Sequence, residues 1–375
     1  SDGQEPDPTS NVVADSNWAR KFLSIPILHE PGTTFLYNSA GTYMLAAIVQ
    51  KVTGQTVLDY LKPRLFEPLG ISGEDWETSP QGVNSGGWGL RLKTEDMAKF
   101  GQLYLQGGSW NGRQVLPASW IKEATTVKIM QDPNAPQSKK DSSDWLQGYC
   151  YQMWRCRHNG VRADGAFGQF IIMLPDEDAV VAITAETPDM QEEINLVWQY
   201  ILPALHPAAL AANPAADARL KRQLAALALA PAAKNLAPSA NPFDGKSFEL
   251  SANARKMKAV AFHFSGDRLE LEITGDTAEY KIGFGNGRWV RGTTTRPGPN
   301  LLLGAVHHDV GLPAFRTAGS YQWVDDHTLR LVLRYIESPH TETMICTVDG
   351  NRLSLADAAS YQYGKGTVTI QGTAQ

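Results

Sequence analysis

Between His206 and Asn241 the sequence turns into Ala, Pro, Asn and Lys, and this break constrains what can fold on either side of it. The stretch carries too few large apolar side chains to build a core, and its prolines remove backbone donors. It reads as a semi-rigid linker over 206–242, with one helix expected at Asp217–Leu229. The 375 residues therefore divide into 1–205 and 243–375, each long enough for a core of its own. The second part is strand after strand. Arg268-Leu269-Glu270-Leu271-Glu272-Ile273-Thr274 and Thr328–Tyr335 alternate apolar with polar, and Ser265-Gly266-Asp267, Gly285-Asn286-Gly287 and Val348-Asp349-Gly350-Asn351 supply turns at short intervals. An antiparallel β-barrel or sandwich is expected, with no convergent polar cluster visible in its strands or turns.

The first part mixes periods. Ala40–Val52 has apolar residues at helical spacing, and Gly168–Thr184 reads as two short strands around the turn Leu174-Pro175-Asp176-Glu177-Asp178. Glu192–Ile201 fits a closing amphipathic helix with 194, 197, 198 and 201 on one face. Within this part, Pro31-Gly32-Thr33-Thr34-Phe35-Leu36-Tyr37-Asn38-Ser39-Ala40-Gly41 delivers a tyrosine to the mouth of a helix. The run resembles the second motif of serine β-lactamases, penicillin-binding proteins and related esterases, a Tyr-x-Asn or Ser-x-Asn at a helix start after a Pro-Gly turn. Val52-Thr53-Gly54-Gln55-Thr56 and Leu65-Phe66-Glu67-Pro68-Leu69-Gly70-Ile71 are similar to the same family's helix, turn and PLG(I/M) segment. The resemblance implies an α+β fold: a partial β-lactamase/transpeptidase-like domain of antiparallel sheet with helices in 1–205, ending in a strand hairpin and a terminal helix. An all-β barrel-like domain would follow, as in some bacterial members.

The resemblance also implies acyl transfer through a serine. Tyr37 would be the base, since a phenol that titrates near 10 becomes useful only when neighbouring lysines depress it. Ser39 stands at the family's Asn position, where its hydroxyl could bond a substrate carbonyl with one rotor; Asn38 is the alternative. The third motif, Lys-Thr-Gly or His-x-Gly, has its counterpart in Arg162-Ala163-Asp164-Gly165-Ala166-Phe167-Gly168-Gln169. There Gly165 would let substrate approach and the Ala166 amide would donate to an oxyanion. Asp164 would repel an anionic substrate and so disfavour β-lactams. The competing reading of this stretch is a plain Asp-Gly hairpin turn. In Asn84–Leu90, Trp88 would line an acyl pocket or a core, and Thr94 would cap the next helix. Tyr149, Tyr151 and Trp154 could form another wall.

A nucleophile is harder to find. The only Ser-x-x-Lys, Ser119-Trp120-Ile121-Lys122, lies downstream of the tyrosine and reads as a helix entry after Pro117. In the family the nucleophile lies upstream, and Ser1–Pro8 resembles a loop some way beyond it, so an upstream segment carrying Ser-x-x-Lys is expected. A net charge of −5, with basic residues grouped only in short runs such as Arg155-Cys156-Arg157-His158, leaves no nucleic-acid footprint. No run approaches the roughly 18 apolar residues of a membrane span; periplasmic or secreted location is implied by the resemblance alone. No cofactor is called for, and no metal: His307-His308-Asp309 lacks spaced partners and no His-Glu-x-x-His occurs. Three cysteines, an odd number, argue against a disulfide framework. Cys150 and Cys156 fall in an apparent strand, Tyr149–Cys156, about 20 Å apart at ~3.3 Å per residue. The expectation is a serine hydrolase acting on a small-molecule ester, amide or peptide through an acyl-enzyme, this stretch being inert alone. The rivals are a non-catalytic peptidoglycan- or ligand-binding relative, and a lid or oligomerisation role for the β-domain.

Overall fold

The computed structural model describes residues 8–296, 298, 312–360 and 367–375; Ser1–Asp7 and His307-His308-Asp309, considered above, lie outside them. Over the described positions the chain forms two compact units, one in residues up to Leu210 and one in 211–301 and 313–375.

The first unit is organised by a four-stranded antiparallel sheet in sequence order: β1 (Trp154–Arg155), β2 (Val161–Gly165), β3 (Gln169–Leu174) and β4 (Ala179–Ile183). Side chains alternate across a strand, so an unbroken apolar run such as Phe170–Leu174 requires cover on both faces. Phe170, Ile172 and Leu174 pack with Ile194, Val197 and Trp198 of the terminal helix. Met173, from the opposite face, joins Phe100 and Tyr104 of the helix Thr94–Leu105. That helix comes close: a Cβ on Gly101 would lie 2.6 Å from Val180 Cγ1 and 2.8 Å from Ile171 Cγ2. Gly101→Leu is therefore expected to destabilise this unit by about 1–3 kcal/mol through overpacking, against a helix-propensity gain of ~1 kcal/mol. A urea midpoint that does not fall, with slope unchanged, would refute the close packing.

Three local expectations are corrected. The terminal helix Met190–Leu196, capped by the Asp189 side chain on the Glu192 N–H, continues as a π-helical turn over Val197–Ile201. The wider turn shifts the face, so Ile194, Val197 and Trp198 are buried while Ile201 is 43% exposed. Thr94 is the first helical residue and Lys93 holds the cap position; the Thr94 hydroxyl instead meets that of Thr184 at 3.0 Å. Tyr149–Cys156 is not a straight strand. Gln152 adopts φ 58°, Cys150 N–H bonds back to Met153 O at 2.8 Å, and strand pairing is confined to Trp154–Arg155 and single bridges of Tyr149 to Ile129 and Trp154. All three cysteines are buried and free.

The second unit is a closed barrel, not a sandwich. Its strands are β5 (Ser247–Leu250), β6 (Met257–Ser265), β7 (Arg268–Gly275), β8 (Glu279–Asn286), β9 (Val290–Thr294), β10 (Phe315–Asp325), β11 (Thr328–Tyr335), β12 (His340–Asp349), β13 (Arg352–Ala359) and β14 (Val368–Ala374). Antiparallel pairing runs β8-β7-β6-β5-β14-β13-β12-β11-β10. A short parallel contact, Gly285 with Ser320 and Asn286 with Tyr321, then joins β8 to β10 and closes nine strands, with β9 on the outer edge of β10. Closure puts every second residue, such as Leu269, Leu271, Leu329, Leu331, Leu353 and Leu355, into one core.

Contrary to the sequence reading, polar groups do converge in this unit. Arg296 donates to Glu342 at 2.5 and 2.6 Å and to the Tyr335 hydroxyl at 3.1 Å, and Arg255 Nε meets Asp357 at 2.5 Å, all at buried or part-buried positions. These residues come from separate segments, so strand alternation could not reveal them. The stretch before the barrel holds the helix Pro214–Ala226, which buries no residue. Beyond it the chain is not a bare tether. The N–H groups of Ala232, Ala233 and Asn235 donate to Ser320, Gln322 and Asn286 of the barrel, because extended backbone has no partners of its own. No helix of the described residues is long and apolar enough to cross a membrane.

Candidate active site

The helix Ser39–Thr53 buries Ala40, Tyr43 and Ala46 and starts at Asn38, whose extended backbone (φ −141°) and side-chain oxygen, 2.8 Å from Gly41 N, form its cap. Tyr37 sits just before the cap, clear of the helix, and is 45% exposed. The first turn of the helix is pressed against Gly86 and Gly87. A Cβ there would lie 2.8 Å from Thr42 O or 2.9 Å from Ser39 O, so the glycine cluster serves close approach.

The Tyr37 ring lies 6.0 Å from Trp154, 21° from parallel, and meets Tyr149 edge-on at 6.4 Å. Phe35 packs edge-on against both Tyr149 and Trp154, at 5.1 and 5.6 Å. Phe35, Leu36, Tyr37, Asn38, Gly41, Thr42, Tyr149 and Gln152 line a cleft of about 170 Å³ that contains no charged side chain. Its polar groups are joined: the Thr42 and Tyr149 hydroxyls reach Gln152 Oε1 at 3.3 and 3.4 Å. Burial, with the neighbouring Tyr37 and Asp164, pushes the Tyr149 phenol well above its ordinary range. Tyr149 therefore stays a neutral donor. Phe35, Thr42 and Gln152 carried no signal in the sequence, because chain positions more than a hundred apart meet here.

Alternation along β2 puts Arg162 and Asp164 on one face. Arg162 is fully buried, its Nε 3.0 Å from Asp164 Oδ2 and its NH1 2.8 Å from Asp144 O, with its plane over Trp145 at 4.4 Å and Trp154 at 5.4 Å. Tyr37, Trp154 and Arg162 thus form a continuous stack, with Asp164 ion-paired to Arg162. The Asp164 carboxylate is compensated by Arg162 rather than bare toward a substrate. Burial holds its carboxyl above the usual range, with Arg162 offsetting part of the rise. Gly165 ends β2, where a Cβ would meet Gln169 Cβ at 2.9 Å. Ala166 is exposed at the hairpin tip, and Gln169 Nε2 ties its carbonyl (3.3 Å) and that of Ala185 (2.6 Å).

The structure therefore gathers Tyr37 and Asn38 beside Tyr149 and Trp154, with Asp164 in electrostatic reach of Tyr149. Asn38 Oδ1 is committed to its cap. Ser39 faces Gly87 and is not among the cleft-lining residues. Trp88 packs against Trp18 at 5.6 Å in the core that holds Ala40 and Tyr43, and Tyr151 stacks on Trp120. Ser119 and Lys122 are exposed on the helix Ala118–Thr125, and neither lines the cleft.

Behind the stack lies Asp144, wholly buried. It accepts from Arg157 N (2.8 Å), Nε (3.1 Å) and NH2 (2.8 Å), from Gln191 Nε2 (2.8 Å) and from Trp198 Nε1 (3.0 Å). Burial works to raise its carboxyl, but Arg157, Trp198 and Gln191 outweigh it and hold the group below the ordinary value. Nothing in Asp141-Ser142-Ser143-Asp144 distinguished this aspartate in sequence.

The sequence model of the family described as beta-lactamase matches residues 2–206. The 6-aminohexanoate-dimer hydrolase of Paenarthrobacter ureafaciens is 28% identical over 159 residues, 41% of this chain and 40% of that protein. The mitochondrial serine beta-lactamase-like protein LACTB of Mus musculus is 26% identical over 212 residues, 45% of this chain and 38% of that one. The chain thus spans about two fifths of the length of these curated relatives. Among solved structures, the octameric penicillin-binding protein homologue from Pyrococcus abyssi overlaps 97% of this chain and 74% of its own at a TM-score of 0.41 and 14% identity.

Proposed function

The chain belongs to the beta-lactamase family, and on that premise we propose that it supplies the base and one oxyanion donor of a serine-hydrolase site. The carrying observation is Tyr37, exposed at the mouth of an uncharged cleft and stacked through Trp154 and Arg162 toward the hairpin that presents Ala166. In this reading a serine attacks the substrate carbonyl, its proton passing to the Tyr37 oxygen, whose phenol a nearby lysine keeps low enough to accept it. The Ala166 N–H steadies the oxyanion. Serine, lysine and the second donor come from a segment outside these residues, since Ser119 and Lys122 do not line the cleft. With no charged side chain in the cleft and Asp164 paired, neutral esters and amides are the substrate class; the name of the 6-aminohexanoate-dimer relative supports an amide. Export to the periplasm or beyond belongs to the same proposal.

A second reading, a ligand-binding relative without acyl transfer, draws on one observation: Ser39, at the position of the family's Asn, is not among the residues that line the cleft. The two readings separate in one assay. The 375-residue chain alone should be inert toward nitrophenyl esters, and joined to a Ser-x-x-Lys segment of the family it should release a burst of nitrophenol. No burst from a well-folded joined protein favours the binding relative. A burst from the chain alone, abolished by Ser119→Ala, would overturn the assignment of the nucleophile.

A further inference from the structure

The hairpin tip Ala166-Phe167-Gly168 is an awkward piece of backbone. Phe167 sits at φ 65° and Gly168 at 89°, so a bulky side chain occupies the left-handed region. It is held from three sides. Thr187 N–H bonds to Phe167 O at 3.1 Å, Gln169 Nε2 reaches Ala166 O at 3.3 Å, and the third support is Glu193 from the terminal helix. Glu193 Oε2 lies so close that a Cβ on Gly168 would be 1.9 Å from it. Both Glu193 carboxyl oxygens are buried and, among the described residues, neither has a hydrogen-bond partner. A carboxylate in that position is costly to keep charged, so the geometry itself favours the protonated acid.

We propose that Glu193 is a positioning residue for the oxyanion turn: as a neutral acid packed under Gly168 it fixes the Ala166 amide, and as a carboxylate it loosens the turn. The assignment rests on the hydrolase reading of Ala166. The charge that acts on it is Asp164, paired with Arg162 on β2; Asp189, whose carbonyl accepts from Glu193 N–H, caps its helix, and Glu192 precedes it in the chain. Burial, then Asp164, pushes the Glu193 carboxyl up to about 7. An ordinary glutamate ionises near 4.5, so the folded chain binds the extra proton across that interval. Ionisation therefore works against the fold as pH rises from about 4.5 to 7.

The test uses amide hydrogen exchange of the intact chain, which reads the turn without needing turnover. After correction for intrinsic base catalysis, protection of the Thr187 amide, which donates to Phe167 O at the turn, should fall roughly tenfold as pH rises from 6 to 8 and stay level in Glu193→Gln, which mimics the neutral acid. Protection that is level in both proteins, or falls equally in both, would overturn the proposal. In the chain joined to a nucleophile segment, kcat for a neutral ester should lose its decline above pH 7 in Glu193→Gln while KM stays unchanged. A kcat that declines identically in both proteins would also overturn it. If exchange responds as expected but the joined protein hydrolyses nothing, the hydrolase reading fails while Glu193 still governs the turn.

Discussion

Tyr37→Phe is expected to lower acylation by roughly 10² to 10⁴ in a protein that carries this chain together with its Ser-x-x-Lys segment, the range for a positioned acid–base group. The substitution keeps the ring that stacks on Trp154 at 6.0 Å and meets Tyr149 at 6.4 Å, and deletes the hydroxyl alone. The loss should fall on the burst rate with a nitrophenyl ester, and circular dichroism should show an unchanged fold. Because the residue acts in the transition state, kcat and kcat/KM should fall together. An unchanged burst in a folded variant would reduce Tyr37 to a packing residue and return the base to another group.

Asp144→Ala carries the largest expected cost in stability, about 3–5 kcal/mol for the first unit, because the partner charge and the remaining donors lose their acceptor inside the protein. Arg157, Gln191 and Trp198 all donate to this one buried carboxylate. Urea unfolding followed through the tryptophans of the first unit measures it. The sign of the pH dependence follows from the lowered carboxyl. Its contribution is complete above the ordinary value of 3.8 and is lost as pH falls through the lower native value. The acid limb of the stability curve should therefore flatten in the variant. A midpoint within ~0.5 kcal/mol of the parent would mean that water replaces the lost oxygen at no cost.

The glutamate under the hairpin behaves in the opposite sense. Its carboxyl is raised, so rising pH weakens the first unit through Glu193 while falling pH weakens it through Asp144.

Some of this was written in the chain. Period and punctuation determined the helix Ser39–Thr53, the hairpin β3–β4 and the barrel strands, because those elements depend on residues two to four apart and on glycine or proline at the turns. The Tyr37 run identified the family for the same reason: a short contiguous motif needs no tertiary information. Other features lay beyond any local pattern. Whether the strands of the second unit close was decided by two residue pairs of parallel contact between β8 and β10. The partner of Asp164 is two residues away, yet only burial of Arg162 beneath Trp145 and Trp154 makes the pair a compensated unit rather than two surface charges. Trp88 packs against the core of Trp18 and Tyr43, and Ser39 lies against Gly87, contacts between segments far apart in the chain that no local pattern reveals. The sequence by itself determined the helix Ser39–Thr53, the hairpin β3–β4, the strand-rich second unit and the family. The tertiary structure alone decided which charges are paired inside the protein and which ring faces the cleft, because those outcomes depend on packing by residues far away in the chain.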